Sequence, residues 1–140
     1  APLSYKSVEL GDDIKVFGYP LSFMFSGDFV SLTKGSISSL SGFDNNQSEF
    51  RHTASIQPGN SGGPIVGEDG KVVGLVVSVL SQEAAKLYDF LPQNVNFGIQ
   101  VSLLTDMMKL KKIAINNNRI DKYSIVKHYK KATKHIMCYE

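Results

Sequence analysis

With 140 residues the chain is long enough for a single domain with a substantial core. A composition of 42% hydrophobic and 20% charged residues excludes a disordered polypeptide, and no apolar run approaches the roughly 18 residues of a membrane-spanning helix. The net charge of +2 conceals a division: residues 1–108 carry six Lys/Arg against eleven Asp/Glu (net −5), and 109–140 carry nine against two (net +7), which sets the tail apart from the body.

Ala1 and Pro2 open the chain with neither a Met nor a signal-like apolar segment, as expected of a piece excised from something longer. Residues 1–13 are polar and end in the turn signal Gly11-Asp12-Asp13. Residues 14–19 (Ile-Lys-Val-Phe-Gly-Tyr) read as a strand stopped by Pro20, and an apolar loop follows over 21–29. Residues 30–40 alternate as a long strand bent at Gly35, with Val30, Leu32, Ile37 and Leu40 apolar. A hairpin-type loop over 41–48 leads into a short strand at 49–54. A hairpin of 64–67 and 71–79 is closed by Glu68-Asp69-Gly70. Residues 81–94 read as an insertion, helical over 82–91 and ended by Pro92, and 95–101 as the last strand.

Six strands with short loops fit a small closed antiparallel barrel, which leaves no edge exposed. Beyond it the period changes. Leu103, Leu104, Met107, Met108 and Leu110 recur at helical spacing, with Ser102 as N-cap and Asp106 favouring the early turns. Asn116-Asn117-Asn118 should break that helix. Residues 119–135 read as a second helix, with Ile120, Tyr123, Val126 and Tyr129 or Lys130 on one side. The expected organisation is a barrel over 1–102 and a basic helical extension over 103–140. The lone cysteine, Cys138, excludes an internal disulfide framework and argues against a zinc site.

Between two of the strands lies Gln57-Pro58-Gly59-Asn60-Ser61-Gly62-Gly63-Pro64, which reads as a nucleophile loop. A serine nucleophile needs its hydroxyl exposed on a tight turn, with backbone N–H groups aimed at the oxygen that becomes negative in the transition state. Gly59 turns the chain without a Cβ and offers its N–H. Ser61 offers a hydroxyl and a second N–H. Taken alone, the octapeptide is equally a Gly-Ser surface turn, and its flanks must decide between the two.

The flanks are 14–20 (IKVFGYP), 34–39 (KGSISS), 53–64 (TASIQPGNSGGP), 70–77 (GKVVGLVV) and 94–101 (NVNFGIQV). In this order they resemble the second, C-terminal β-barrel of trypsin-like (chymotrypsin-fold) serine proteases, most closely the bacterial HtrA/Deg branch. The resemblance covers roughly residues 8–110. It implies a mainly β fold, a six-stranded antiparallel Greek-key barrel followed by one or more C-terminal helices. It also implies that Ser61 is the nucleophile of a serine endopeptidase and that the N–H groups of Gly59 and Ser61 form the oxyanion hole. Asn60 stands where digestive enzymes have an aspartate that pairs with a new N-terminal amine, so activation of that kind is not expected. By the same matching, Ser55, Ile56 and Gln57 form one wall of the substrate pocket. Val77, Ser78 and Val79 pair with an extended substrate, and Asn96, Phe97 and Gly98 close the far side. With no acid at the pocket base and Ile56 beside it, a small or medium apolar P1 side chain is expected. No cofactor or metal is called for, and the branch implies a periplasmic or secreted protein.

A serine is a weak nucleophile without an adjacent base. The resemblance puts the histidine and aspartate on a first barrel that lies upstream of Ala1. His52 is expected on the barrel surface or lining the pocket, and His128 and His135 on a solvated helix face. The chain alone is therefore expected to be inactive, with a polypeptide substrate and the N-terminal barrel as partners, and a homo-oligomer forming through an exposed barrel face. The basic tail shows thin aromatic interleaving and no base-reading motif, so neither nucleic acid nor membrane is indicated. The alternatives are a pseudoprotease barrel that binds extended peptides by strand addition, and a fragment of a viral chymotrypsin-like protease.

Overall fold

The computed structural model describes residues 1–21, 29–79, 95–116 and 118–136. The apolar loop expected over 21–29 and the insertion over 81–94 fall largely outside the described residues, as does Cys138. Six strands form where the alternation and turn chemistry place them: β1 (Asp13–Gly18), β2 (Ser31–Ser39), β3 (Glu49–His52), β4 (Pro64–Gly67), β5 (Val72–Val79) and β6 (Asn96–Gln100). Every pair is antiparallel, the ring runs β1-β2-β3-β6-β5-β4, and it closes where β4 pairs with β1. The step from β3 to β6 makes it a Greek key, and closure gives each strand a neighbour on both sides.

The barrel interior follows from period-2 alternation. Ile14 and Val16 on β1 point inward and are buried, as are Ile37, Phe50, Ile65 and Val76 from the other strands. Phe50 fills the centre. A Cβ at Gly74 or Gly98 would lie 2.7 Å from its ring, so those two glycines supply the space for it. The β4–β5 hairpin closes through Gly67 and Lys71, whose backbones bond at 3.0 Å.

Two details of β2 differ from expectation. Its pairing with β1 continues without interruption through Gly35, and the irregularity falls between Ile37 and Ser39 instead. Leu32 and Leu40 are exposed, so Ile37 is the one apolar position of that strand that enters the core.

Two helices follow the barrel: α1 (Val101–Leu110) and α2 (Ile125–Ala132). The α1 helix starts directly from β6, with Gln100 at the N-cap and no side-chain capping bond, so Ser102 is not the cap. It ends at Leu110, before Asn116-Asn117-Asn118, where Lys112 turns the chain with φ 55°. The second helix is shorter than the residues 119–135 expected, preceded by a 3-10 turn at Lys122–Ser124. Its buried face is Ile125 and Tyr129, spaced i,i+4, while Val126 and Tyr123 are exposed.

These helices cover the outside of the barrel. Phe17 on β1 lies on the outer face beside Lys15, yet it is 1% exposed because Tyr129 stacks on it at 5.2 Å. Phe17, Val66 and Val72 join Val101, Ile125 and Tyr129 in a second apolar cluster. The Tyr129 hydroxyl donates to the Gly70 carbonyl at 2.9 Å, and burial pushes its phenol well above the ordinary range, so it stays a neutral donor.

Candidate active site

The 57–64 segment leaves β3 and returns as β4. Gln57, Pro58, Gly59, Ser61 and Gly62 are exposed, and Asn60 is buried beneath them. The turn is closed from within, since Asn60 N–H donates to Gln57 O at 3.0 Å and Gly63 N–H to Asn60 O at 2.9 Å. Gly59 has φ +99°, and a Cβ there would run into the Tyr19 carbonyl, so this position needs glycine on two counts. Leu21 N–H donates to Pro58 O at 2.8 Å, which holds the exit of β1 against the same turn. Among the described residues the N–H groups of Gly59 and Ser61 donate to no partner. The turn therefore combines an exposed hydroxyl with two uncommitted backbone donors one residue apart, an arrangement suited to a developing oxyanion.

The far side of the turn rests on β5. Gly62 N–H donates to Val76 O at 2.8 Å and Val76 N–H to Gly63 O at 2.9 Å. The Ser61 hydroxyl donates to the Val77 carbonyl at 2.9 Å. Val77 is the extra residue of a bulge, because Val76 pairs with Gly98 and Ser78 with Phe97.

The other residues singled out in the sequence divide into two groups. Ser55 and Gln57 are exposed beside the turn, whereas Ile56 is 6% exposed and packs into the barrel core. Asn96 and Phe97 are buried on β6. The Asn96 amide donates to the Ala54 carbonyl at 2.9 Å and so ties β6 to the segment entering the turn. Gly98 pairs with Phe50 and Val76, and the backbones of Ser78 and Val79 pair with β6. Asn60 is 3% exposed and its Oδ1 has no hydrogen-bond partner among the described residues.

The histidines stand elsewhere than the sequence suggested. His52 is not on the barrel surface. It is 0% exposed inside the barrel, near Phe50, with neither ring nitrogen making a well-formed hydrogen bond. Burial pushes its imidazole down to about 4, and the backbones of Ala54 and Phe97 offset only part of that. His128 is half-buried with its edge against Tyr129, and His135 is half-buried and stacked on Tyr19 at 5.4 Å, so neither lies on a fully solvated face. A cavity of about 520 Å³ opens beside the turn, and Ser61 shares it with Tyr19, Leu75, Met108, Thr133 and His135. Sequence reasoning missed this neighbourhood. The available signal was Phe17 and Tyr19, two aromatic residues on the side of β1 that a solvated barrel would leave polar.

A closed six-strand antiparallel barrel with an exposed serine turn between its third and fourth strands has the form of a trypsin-like peptidase barrel. A family model described as trypsin-like peptidase domain matches residues 1–75, and the chain belongs to that family. It is 42% identical over 94 residues to the uncharacterized protein y4bJ of Sinorhizobium fredii, covering 65% of this chain and 14% of that protein. It is 32% identical over 111 residues to an HtrA-like serine protease of Staphylococcus aureus, covering 71% of this chain and 13% of that protein. The chain thus spans about one-seventh of the length of these relatives. Among solved structures it is similar to a serine endoprotease from Yersinia pestis, with a TM-score of 0.58 and 25% identity over 78% of this chain and 34% of the other. An inactive mutant form of Rv3671c from M. tuberculosis shares the fold, with a TM-score of 0.56 at 21% identity over 80% of this chain and 52% of the other.

Proposed function

We propose that this chain is the nucleophile-bearing half of a trypsin-like serine endopeptidase. Ser61 attacks the scissile carbonyl and forms an acyl-enzyme, and the N–H groups of Gly59 and Ser61 hold the oxyanion. A histidine and an aspartate come from a first barrel outside this sequence. The observation that carries the reading is the exposed Ser61 hydroxyl beside two uncommitted backbone donors. In the resting arrangement the hydroxyl proton is held by the Val77 carbonyl, a good acceptor but far too weak a base to activate the oxygen. Catalysis needs a base that takes this proton, and loss of triad members costs roughly 10⁴-fold or more in rate. The isolated 140-residue chain is therefore expected to hydrolyse peptides at no measurable rate.

The partners proposed are an extended polypeptide and the first barrel. The peptide would lie along Val77, Ser78 and Val79, beyond the last β4 pairing of β5 at Leu75, with Ser55, Gln57, Asn96, Phe97 and Gly98 around the side chain preceding the scissile bond. Ile56 would contribute through the core behind that pocket. A fluorophosphonate probe on the full-length protein tests the enzyme reading. Ser61-dependent labelling, lost in Ser61→Ala, supports it. An intact, folded full-length protein with no Ser61-dependent labelling overturns it. Peptide binding without labelling would instead favour a non-cleaving barrel that captures peptides by strand addition, a reading supported by the same edge of β5, where among the described residues the pairing with β4 ends at Leu75.

A further inference from the structure

The turn that carries Ser61 rests on the exit of β1, and that exit is gripped by the C-terminal segment. The Tyr19 carbonyl occupies the space that a Cβ on Gly59 would need, and Leu21 N–H donates to Pro58 O at 2.8 Å. The backbone of residues 19–21 therefore sets where Pro58 and Gly59 lie. The Tyr19 side chain projects to the outer face of β1, on the same side as Phe17. There its hydroxyl donates to the Thr133 carbonyl at 3.2 Å, and its ring stacks on His135 at 5.4 Å with an interplanar angle of 20°. Thr133 is itself fixed, since it is 7% exposed and its N–H closes α2 by donating to Tyr129 O at 2.9 Å. Tyr129 is fully buried against Phe17. A continuous set of contacts thus runs from α2 through Thr133 and His135 to Tyr19, and from the Tyr19 backbone to Gly59.

We propose that Tyr19 is a positioning residue for the oxyanion turn, and that residues 133–135 act through it to hold the Gly59 and Ser61 N–H groups in place. The inference rests on the catalytic reading of Ser61. A cover over the site is the obvious rival role for the same segment. Against it, Ser61, Gly59 and Gly62 all remain exposed with the segment docked. The segment meets the turn from the side and leaves its solvent face open.

The test uses the full-length protein and four variants: Tyr19→Phe, which removes only the bond to Thr133; Tyr19→Ala; His135→Ala; and the Tyr19→Ala/His135→Ala double variant. Two readings are taken. The first separates the limiting rate of fluorophosphonate labelling from the probe's half-saturating concentration. A misplaced donor should slow the limiting step about 10- to 100-fold in Tyr19→Ala, somewhat less than removal of a whole oxyanion donor, with half-saturation unchanged within about twofold. His135→Ala should lose about 3- to 10-fold, Tyr19→Phe less than Tyr19→Ala, and the double variant no more than Tyr19→Ala alone, because the two residues act as one unit. The second reading is independent of activity: the amide resonances of Gly59 and Ser61 should shift and exchange faster in Tyr19→Ala and His135→Ala, while those of Ile14 and Phe50 stay put. That contrast separates a local effect from a folding defect.

An unchanged limiting rate in Tyr19→Ala overturns the proposal, as do additive losses or unmoved Gly59 and Ser61 resonances. A rise in labelling overturns it too, because it marks the segment as a cover. If the unaltered protein shows no Ser61-dependent labelling, the catalytic reading falls and the amide resonances alone decide whether Tyr19 holds the turn.

Discussion

His52 shows how a single side chain can set the acid limit of this fold. It is enclosed in the barrel as a neutral ring, with its imidazole pushed from 6.5 to about 4 by burial. Below pH 6.5 the unfolded chain takes up a proton that the folded barrel excludes. Stability should therefore fall as pH drops from 6.5 to about 4, by about 3 kcal/mol in total, and be independent of this group above that window. Urea unfolding across the window checks it. In His52→Leu, which keeps the volume and has nothing to protonate, this part of the acid sensitivity should vanish; an unchanged slope would mean that other groups carry it. The sequence placed His52 on the strand before the serine turn but could not orient it. A four-residue strand gives too short an alternation to tell inside from outside, and a histidine at an inward position carries no local mark.

At the scale of elements, α2 fastens to the barrel through two buried residues, Ile125 and Tyr129. Tyr129 stacks on Phe17 and donates to Gly70, and it is 0% exposed. Tyr129→Phe removes the hydrogen bond and leaves the Gly70 carbonyl without it, a loss of about 1 to 2 kcal/mol. Tyr129→Ala also empties the space against Phe17 and should cost about 3 to 5 kcal/mol. Thermal unfolding of the two variants distinguishes these figures, and equal losses would show that the ring packing contributes little. The strands were legible from the sequence because each ends in its own turn chemistry: Pro20 after β1, Asp44 and Asn45 before β3, Asp69-Gly70 between β4 and β5. The docking of the tail was not, since the partners of Tyr129 lie 59 and 112 positions away and no local period encodes them. The buried pair Ile125 and Tyr129 is an i,i+4 signal, but in the sequence it competes with Val126, Tyr123 and Ile120 on neighbouring faces.

At the scale of the whole molecule, α1 carries an apolar stripe that the described fold leaves open. Leu103, Met107 and Leu110, spaced i,i+4,i+7 on α1, are 47%, 54% and 84% exposed, and Ile113 follows at 54%. The body is net negative and the tail net positive, so a second copy can set its tail against the body of the first. The isolated chain is expected to self-associate along this stripe, with light scattering showing a mass that rises with concentration and falls with added salt. Met107→Glu combined with Leu110→Glu should return it to monomer without lowering its melting temperature. A monomer at every concentration would overturn this expectation. At this scale too, the site was only half legible. The octapeptide marked the turn, because glycine and proline report backbone shape directly, while the aromatic support beneath it depends on a tail that composition alone had set apart.

The bulge in β5 has a consequence for how the serine turn tolerates change. Val77 has no opposite number on β6, and its carbonyl is the resting partner of the Ser61 hydroxyl. A carbonyl is common to all amino acids, so what position 77 supplies is chain length and not side-chain identity. Substitutions there leave the hydroxyl its acceptor, whereas deleting Val77 would turn the bulge into a regular ladder, with Val76 and Ser78 still opposite Gly98 and Phe97, and withdraw the carbonyl that the Ser61 hydroxyl meets. The resting state of the serine is encoded in a count of residues between two neighbouring strands.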